Sequence, residues 1–557
     1  MLSRLTFVPL LTTLTLACAA APSRPPRATV LLSVRDGGTI STLDPERPRV
    51  EALAVEGGRV VASGSRDELR AAYPAAARID LGGKAVLPGF IDAHVHAREL
   101  GADALRIDVS ACLDVACMVE RLRQREPEPA PDRWLVGDGW DEGAWASQGY
   151  PDRAALDAAF PRTPVLLSSR HGFATLVNGA ALRRAGIDHA TPDPEGGTIV
   201  RDPDGRPTGV LLTLAQDLVR DVVPPLPDPA RRQAILAALH QLAAAGVTQV
   251  HEAGMSTADV AAFTALAEDG ALPIRVYGLL DGNDPALVDQ WLERGPRIDP
   301  DDRLTVRGFK VFYDGSLGSR TALLTEPYAD DPRAARPTER ISPEAVEALA
   351  LRAARGGFQL AVHAIGDEAN ARVLALFERV FAAVPGDHRW RLEHAQVMPP
   401  GGFELAARLG VIANMQPSHA VGDRAWAEDR LGPERITRAY AWRSMLEAGV
   451  PLVLSSDLPG EPWAPLQTLD FAITRQPLDR STPPWHPEQA LRYDEALRAM
   501  TLTAAYAGFA EGRLGQLVPG AWADLVVLDR GPDEAVPGRV HEVRVERTFV
   551  GGRELPR

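Results

Sequence analysis

Short apolar runs alternate with segments of helical hydrophobic spacing through most of the chain. One stretch shows the grammar. Asp228 is placed to cap a helix, and Pro229 suits the first helical position. Ile235, Leu236, Leu239 and Leu242 then recur at helical spacing, Gly246 ends the helix, and Val247–Val250 follows as a strand. The unit recurs where Ser342-Pro343 opens a helix, Gly356-Gly357 closes it, and Phe358–Val362 continues as a strand. The full set of strand candidates is Ala85–Ala93, Val247–Val250, Ile274–Leu280, Val306–Phe312, Phe358–Val362, Trp390–Leu392, Val411–Met415 and Leu452–Leu454. Eight such units predict an α/β fold, a (β/α)₈ TIM-type barrel, whose active site lies at the C-terminal ends of the strands.

One gap breaks the rhythm. Residues from about 98 to 227 separate the first candidate strand from the second and read as an insertion with its own strands, Arg133–Val136 and Pro164–Ser168. Because it leaves the first strand at its C-terminal end, it is expected over the active-site mouth. Both ends of the chain are β-rich. Thr29–Val34, Ala52–Val55 and Arg59–Ala62 near the N-terminus have counterparts in Ala523–Leu528 and Val540–Val550. The expected domains are therefore a composite β-sandwich from 28–84 plus 513–557 and a barrel over 85–512 carrying the insertion. Two unrelated β flaps are the alternative.

Composition narrows the partners. With 557 residues, 45% hydrophobic and 24% charged, the chain is an ordinary globular protein with room for a large core. The net charge of −14 and the lack of a basic run speak against nucleic acid and leave a small-molecule substrate as the expected partner. A homodimer is the default assembly. Only two lysines, Lys84 and Lys310, occur among 60 basic residues. A Lys that persists in so Arg-biased a chain suggests chemistry that Arg cannot perform. Three cysteines make no disulfide framework, although Cys112 and Cys117 could pair in an oxidising compartment.

Residues 1–27 read as an address and a tether. Arg4 precedes an apolar stretch from Leu5 to Leu16, and small residues follow around Cys18. The segment resembles a bacterial lipoprotein signal with Cys18 as the lipidated, membrane-tethering residue, although Thr15 stands where Leu is usual. The expectation is export, to the periplasm or cell envelope as a lipoprotein, or secretion after ordinary cleavage.

The chemistry lies just past the strand ends. The first strand ends in His94-Val95-His96, and alternation puts both imidazoles on one face, which suits a metal ion. Lys310 sits on the fourth strand. A neutral Lys amine can react with carbon dioxide to give a carbamate whose two oxygens bridge two metals, which a guanidinium cannot do. His363 ends the fifth strand, His394 the sixth, and Asp457 follows the eighth. Each residue alone could be a core histidine, a salt-bridged lysine or a helix cap. Together they place four His, one Lys and one Asp at one mouth.

This order resembles the binuclear branch of the amidohydrolase superfamily. It is closest to amidohydrolase family 3, which includes N-substituted formamide deformylases. The resemblance is carried by the segments Leu87 to His96 and Lys310 to Ala322, above all Asp314-Gly315-Ser316-Leu317-Gly318-Ser319-Arg320-Thr321-Ala322, and by the residues around His363, His394 and Asp457. It departs at Ser455, where Gly is common, and at Leu458, where Ala is common. The resemblance implies a hydrolase with His94, His96 and Asp457 on one divalent metal, His363 and His394 on a second, and carboxylated Lys310 bridging them. It implies attack by a metal-bridging hydroxide on a carbon–nitrogen bond other than a peptide bond, in an amide, N-substituted formamide or cyclic amide. Asp457 then acts as general base and acid. N/O ligation points to zinc, with iron or manganese as alternatives.

Further expectations concern the pocket. His171 lies where the family keeps a residue near substrate. Tyr313, Asp314 and Arg320 follow Lys310 into the loop above the barrel, and Trp140 and Trp145 could wall the pocket. Arg320 as a structural ion-pair partner and the two Trp as packing within the insertion are the competing readings. His251 and His419 are candidates for supporting hydrogen bonds. Ester or lactone hydrolysis at the same centre is the alternative enzyme reading. A metal-free binding lipoprotein is the alternative outside catalysis.

Overall fold

The computed structural model describes residues 29–556 except 128–132, 141–144, 146–149, 170–173, 195–196, 319, 333–336, 534 and 536–537. The signal segment with Cys18, and His171, lie outside the described residues.

Eight parallel strands follow one another in sequence and in space: β1 (Phe90–Val95), β2 (Val247–Met255), β3 (Arg275–Asp281), β4 (Leu304–Phe312), β5 (Gln359–Ala364), β6 (Arg391–His394), β7 (Ile412–Met415) and β8 (Leu452–Leu454). The ring closes between β1 and the segment after β8. Asp457 N–H donates to His94 C=O at 3.0 Å, and His96 N–H donates to Leu458 C=O at 3.1 Å. The barrel is thus sealed at three of the expected metal ligands.

Strand formation follows from burial on both faces. Val250, Val306, Phe309, Val311, Leu360, Val362 and Leu392 are buried in one core with the helical residues Ile235, Leu239, Val346 and Leu374. Each such side chain contributes roughly 1.5–3 kcal/mol of burial free energy. The intervening helices stop where the chain allows. Ser342 accepts from Ala345 N–H to cap the helix Pro343–Gly356, and Gly357 ends it in the left-handed region at φ 74°.

The first apolar run is not one strand. Ala85–Pro88 pairs antiparallel with Leu525–Leu528, and the barrel strand starts afresh at Phe90. The break is at Gly89, whose N–H donates to Asp524 C=O at 3.0 Å. A Cβ there would lie 2.2 Å from the Thr248 side chain. We expect Gly89→Ala to cost roughly 1–3 kcal/mol by overpacking, read as a lowered unfolding midpoint.

Strands from both termini share one sheet. It runs Arg553–Glu554, Val545–Val550, Leu525–Leu528, Ala85–Pro88, Thr39–Ser41, Arg49–Val50. A second sheet of Arg59–Gly64, Ala52–Glu56, Val30–Ser33 and Ala77–Asp80 contributes to the same core, with Leu32, Leu53 and Val60 meeting Leu525, Val527 and Phe549. Val540–Val550 is not a single strand either. It opens with a turn at Val540–Glu542, where the Asp470 carboxylate takes the His541 N–H at 3.2 Å and lies 2.8 Å from His541 Nδ1.

The insertion emerges at the C-terminal end of β1. It holds a six-stranded sheet in the order Gly197–Arg201, Pro207–Thr213, Ala174–Val177, Val165–Ser169, Leu135–Trp140, Ile107–Asp108. Cys112 and Cys117 form a disulfide at the start of its helix Val115–Arg125.

Candidate metal centre

The register of the strands brings the ligands together. Phe312 on β4 pairs with His363 on β5, which pairs with Glu393 on β6. Alternation would send His394 away from Glu393, but His394 has φ 74°, a left-handed backbone that redirects its ring. Asp457 likewise sits at φ 57°. Such conformations are costly for non-glycine residues and persist where surrounding structure holds them.

One ligand atom from each of His94, His394 and Asp457 lies within 4.8 Å of the others. His96 Nε2 is 3.3 Å and His94 Nε2 is 3.4 Å from Asp457 Oδ1. The Lys310 amine, fully buried, lies 3.4 Å from His94 Nε2. The His363 ring stands 4.5 Å from that of His394, centroid to centroid. All six expected ligands therefore converge on one mouth. His363 differs in one respect: its Nε2 lies 3.0 Å from Gly315 C=O, which leaves Nδ1 as its ligand atom when Nε2 carries the hydrogen.

The protonation states suit cations. Burial, helped by the nearby Lys310 charge, pulls His94 down to about 4 and His363 down to about 3. Burial also holds His394 well below its ordinary value, and it lowers the Lys310 amine. His96 is the exception. Burial works against its charge, but the hydrogen bond and negative charge of Asp457 outweigh that and raise it. Asp457 is held well below the carboxylate range: burial opposes this, and His94, His96 and His394 outweigh it. Neutral imidazoles and an ionised carboxylate are the donor set that zinc and similar divalent ions take. In the metal-free protein at pH 5.5, histidine NMR should therefore show His94 and His363 neutral while His96 is protonated. Midpoints near 6.5 for His94 and His363 would contradict this.

A model of the amidohydrolase family matches residues 77–556. The chain belongs to the amidohydrolase family. Residues 52–76 also match the imidazolonepropionase-like composite domain of bacteria. This amidohydrolase is 34% identical over 529 residues to the putative amidohydrolase YtcJ of Bacillus subtilis (strain 168), a match covering 93% of this chain and 98% of that protein. It is 31% identical over 534 residues to the N-substituted formamide deformylase of Arthrobacter pascens, covering 92% and 96%. Among solved structures, an uncharacterized metal-dependent hydrolase from Pyrococcus furiosus aligns with TM-score 0.77 at 29% identity, covering 91% of this chain and 100% of that one. One from Pyrococcus horikoshii OT3 aligns with TM-score 0.76 at 27% identity, covering 92% and 99%. The protein is accordingly a metal-dependent hydrolase of this family.

Several pocket expectations for the amidohydrolase need correction. Trp140 and Trp145 are buried in the insertion's own core, where their indole N–H groups donate to Leu167 C=O at 2.8 Å and Cys112 C=O at 3.0 Å. Among the described residues they pack within the insertion, the competing reading. Asp314 is fully buried and accepts from the N–H groups of Leu323, Ile365 and Gly366 at 2.9–3.0 Å. With three backbone donors it anchors the loops after β4 and β5 and has little capacity left for substrate. Tyr313 is buried, its N–H donating to His363 C=O at 3.2 Å. Arg320 pairs with Asp330 through two contacts at 2.7 and 3.3 Å, the ion-pair reading.

Other residues do more than the sequence suggested. His419 Nε2 reaches to 3.7 Å from Asp457 Oδ2, and its ring stacks 5.8 Å from His394. Glu393 lies 2.5 Å from His94 Nδ1 and 2.6 Å from Arg391 Nε. Arg391 in turn lies 3.0 Å from His251 Nδ1, so His251 supports the site at two removes. Asp92 accepts from Ser456 N–H at 3.0 Å and ties β1 to the segment after β8. Arg391 and Glu393 alternate with apolar Leu392 on a barrel strand, a signal that marks them as interior polar residues.

Proposed function

We propose that this protein hydrolyses a C–N bond in an amide, N-substituted formamide or cyclic amide, using two divalent ions, zinc first. The ions are held by His94, His96, His363, His394, Asp457 and carboxylated Lys310. The observation that carries this reading is the buried Lys310 amine, 3.4 Å from His94 Nε2 at a cluster of histidines and an aspartate. An amine meant to stay charged would find a carboxylate partner there at hydrogen-bond distance. Burial instead lowers its proton affinity, which favours the neutral amine that carboxylation requires. When bound, the metal pair supplies Lewis acidity toward the carbonyl and lowers the proton affinity of water.

The chain's own residues do the rest. Asp457, ionised at neutral pH, accepts a proton at its carboxylate as the nucleophile forms, and delivers it to the departing nitrogen. His419, beside the same carboxylate, is placed to orient the substrate or the proton in transit. His171 is proposed to hold the carbonyl oxygen. The formamide option is supported by the likeness to the N-substituted formamide deformylase of Arthrobacter pascens. Export of the protein is supported by its N-terminal segment and by the Cys112–Cys117 pairing, which an oxidising compartment favours.

The test is a hydrolysis screen of metal-reconstituted enzyme against N-formyl amines, acyl amino acids, cyclic ureides and lactones. Hydrolysis of one of the nitrogen substrates is expected, read as amine release from an acyclic substrate or ring opening of a cyclic one. Turnover confined to lactones would overturn the C–N reading.

A further inference from the structure

Beneath the metal centre runs a buried chain of hydrogen bonds whose donor–acceptor order can be deduced link by link. It starts at Glu393, whose Oε1 lies 2.6 Å from Arg391 Nε, a buried ion pair in which the carboxylate is ionised. An ionised carboxylate only accepts, so His94 must carry its hydrogen on Nδ1, 2.5 Å from Glu393 Oε2. The Asn414 side chain faces two acceptors, Glu393 Oε2 at 2.7 Å and Ala93 C=O at 3.1 Å. Its NH₂ group must therefore be on that side and its oxygen on the other. Ser455 Oγ lies 2.8 Å from that oxygen and so donates to it. Having given its hydrogen away, Ser455 must accept from Gln416 Nε2 at 2.9 Å. That turns Gln416 Oε1 toward His394 Nδ1 at 2.8 Å, and the imidazole must donate. Besides Ser455, Gln416 Nε2 has a long contact of 3.4 Å to Asn414 C=O.

We propose that Ser455 is a positioning residue for the metal centre: its hydroxyl transmits the order set at Glu393 across β7 to His394, so that His94 and His394 both present Nε2 to the metals. The inference rests on the two-metal reading for its purpose, since these histidines belong to different metals there. It names a role for a residue at which the sequence departs from the family pattern. Without the hydroxyl, Gln416 is free to turn its amide over, and His394 loses the partner that fixes its tautomer. Partners of this kind orient metal-binding histidines, and removing them typically weakens metal binding by about 10–100-fold.

The test uses the full chain, metal-free and ¹⁵N-labelled at histidine, with long-range ¹H–¹⁵N spectra reading which ring nitrogen carries the hydrogen. In the unsubstituted protein both His94 and His394 should carry it on Nδ1. In Ser455→Ala, His394 should become a mixture of tautomers while His94 stays as it was. Zinc retention against a chelator should fall by about tenfold or more. In Ser455→Ala combined with Gln416→Glu, a carboxylate again accepts from His394 Nδ1, and the single tautomer should return. A mere loosening of the fold would not be repaired by that second change. The proposal is overturned if Ser455→Ala leaves the His394 tautomer and zinc retention unchanged, or if Gln416→Glu fails to restore the tautomer. Because the spectra are taken without metal, a finding of one metal per chain would defeat the two-metal reading and leave this result standing.

Discussion

Replacing Lys310 by Ala is expected to lower kcat by about 10³-fold or more and to reduce the bound metal to one ion per chain or none. In the proposed centre a carbamate on Lys310 would place two oxygens sharing one negative charge between two cations. If its removal forfeits even about 4 kcal/mol of metal-centred transition-state stabilisation, the rate falls about a thousandfold. Lys310→Arg should fare no better, because a guanidinium neither reacts with carbon dioxide nor ligates. The Ala variant leaves a space beside His94 Nε2 where the amine stood, 3.4 Å away. A short carboxylate such as propionate should enter it and restore part of the activity and the second metal. Steady-state kinetics and metal analysis, with and without added carboxylate, check this. Full activity in Lys310→Ala would contradict it.

Asp457→Asn is the second large effect. Asn keeps the shape and a ligand oxygen but cannot take a proton. The expected loss is in kcat, about 10²–10⁴-fold, with KM changed little. The sign of the pH dependence follows from the charge state. Asp457 is held well below its ordinary value by His94, His96 and His394 against the effect of burial. It is thus ionised and competent at neutral pH. The acid limb of the pH–rate profile, set by protonation of the ligand His96, should shift to lower pH in Asp457→Asn, which removes the negative charge that raises His96. A variant with normal kcat and a raised KM would instead assign Asp457 to substrate binding.

That these residues would cluster was readable in the sequence because a barrel leaves few ways to place them. Residues must follow strand ends to reach the mouth, and His94, Lys310, His363, His394 and Asp457 all stand at or just past apolar runs. The rarity of Lys in this chain made Lys310 conspicuous. What periodicity could not convey was strand partnership. Ala85–Ala93 is one apolar run, yet Gly89 hands its first half to the terminal sheet, a division that depends on the approach of Thr248 and Asp524. Trp140, Trp145 and Asp314 were drawn toward the pocket by their place in loops, but tertiary packing gives each an internal partner. The line from Glu393 through Asn414 and Ser455 to Gln416 was hidden for the same reason. Each link crosses between strands or the loops after them, so it exists only once Glu393 is in register with Asn414 and Met415 with Leu454. His419, a candidate supporting residue, lies on the helix Pro417–Asp423 soon after β7, which brings its ring to Asp457.

The most direct measurement is a crystal structure of the zinc-reconstituted protein with data collected on both sides of the zinc absorption edge. The account predicts two anomalous peaks about 3.5–4 Å apart, one against His94, His96 and Asp457 and the other against His363 and His394, with carbamate density on Lys310 joining them. A single peak with a bare Lys310 amine turned away from it would contradict the account.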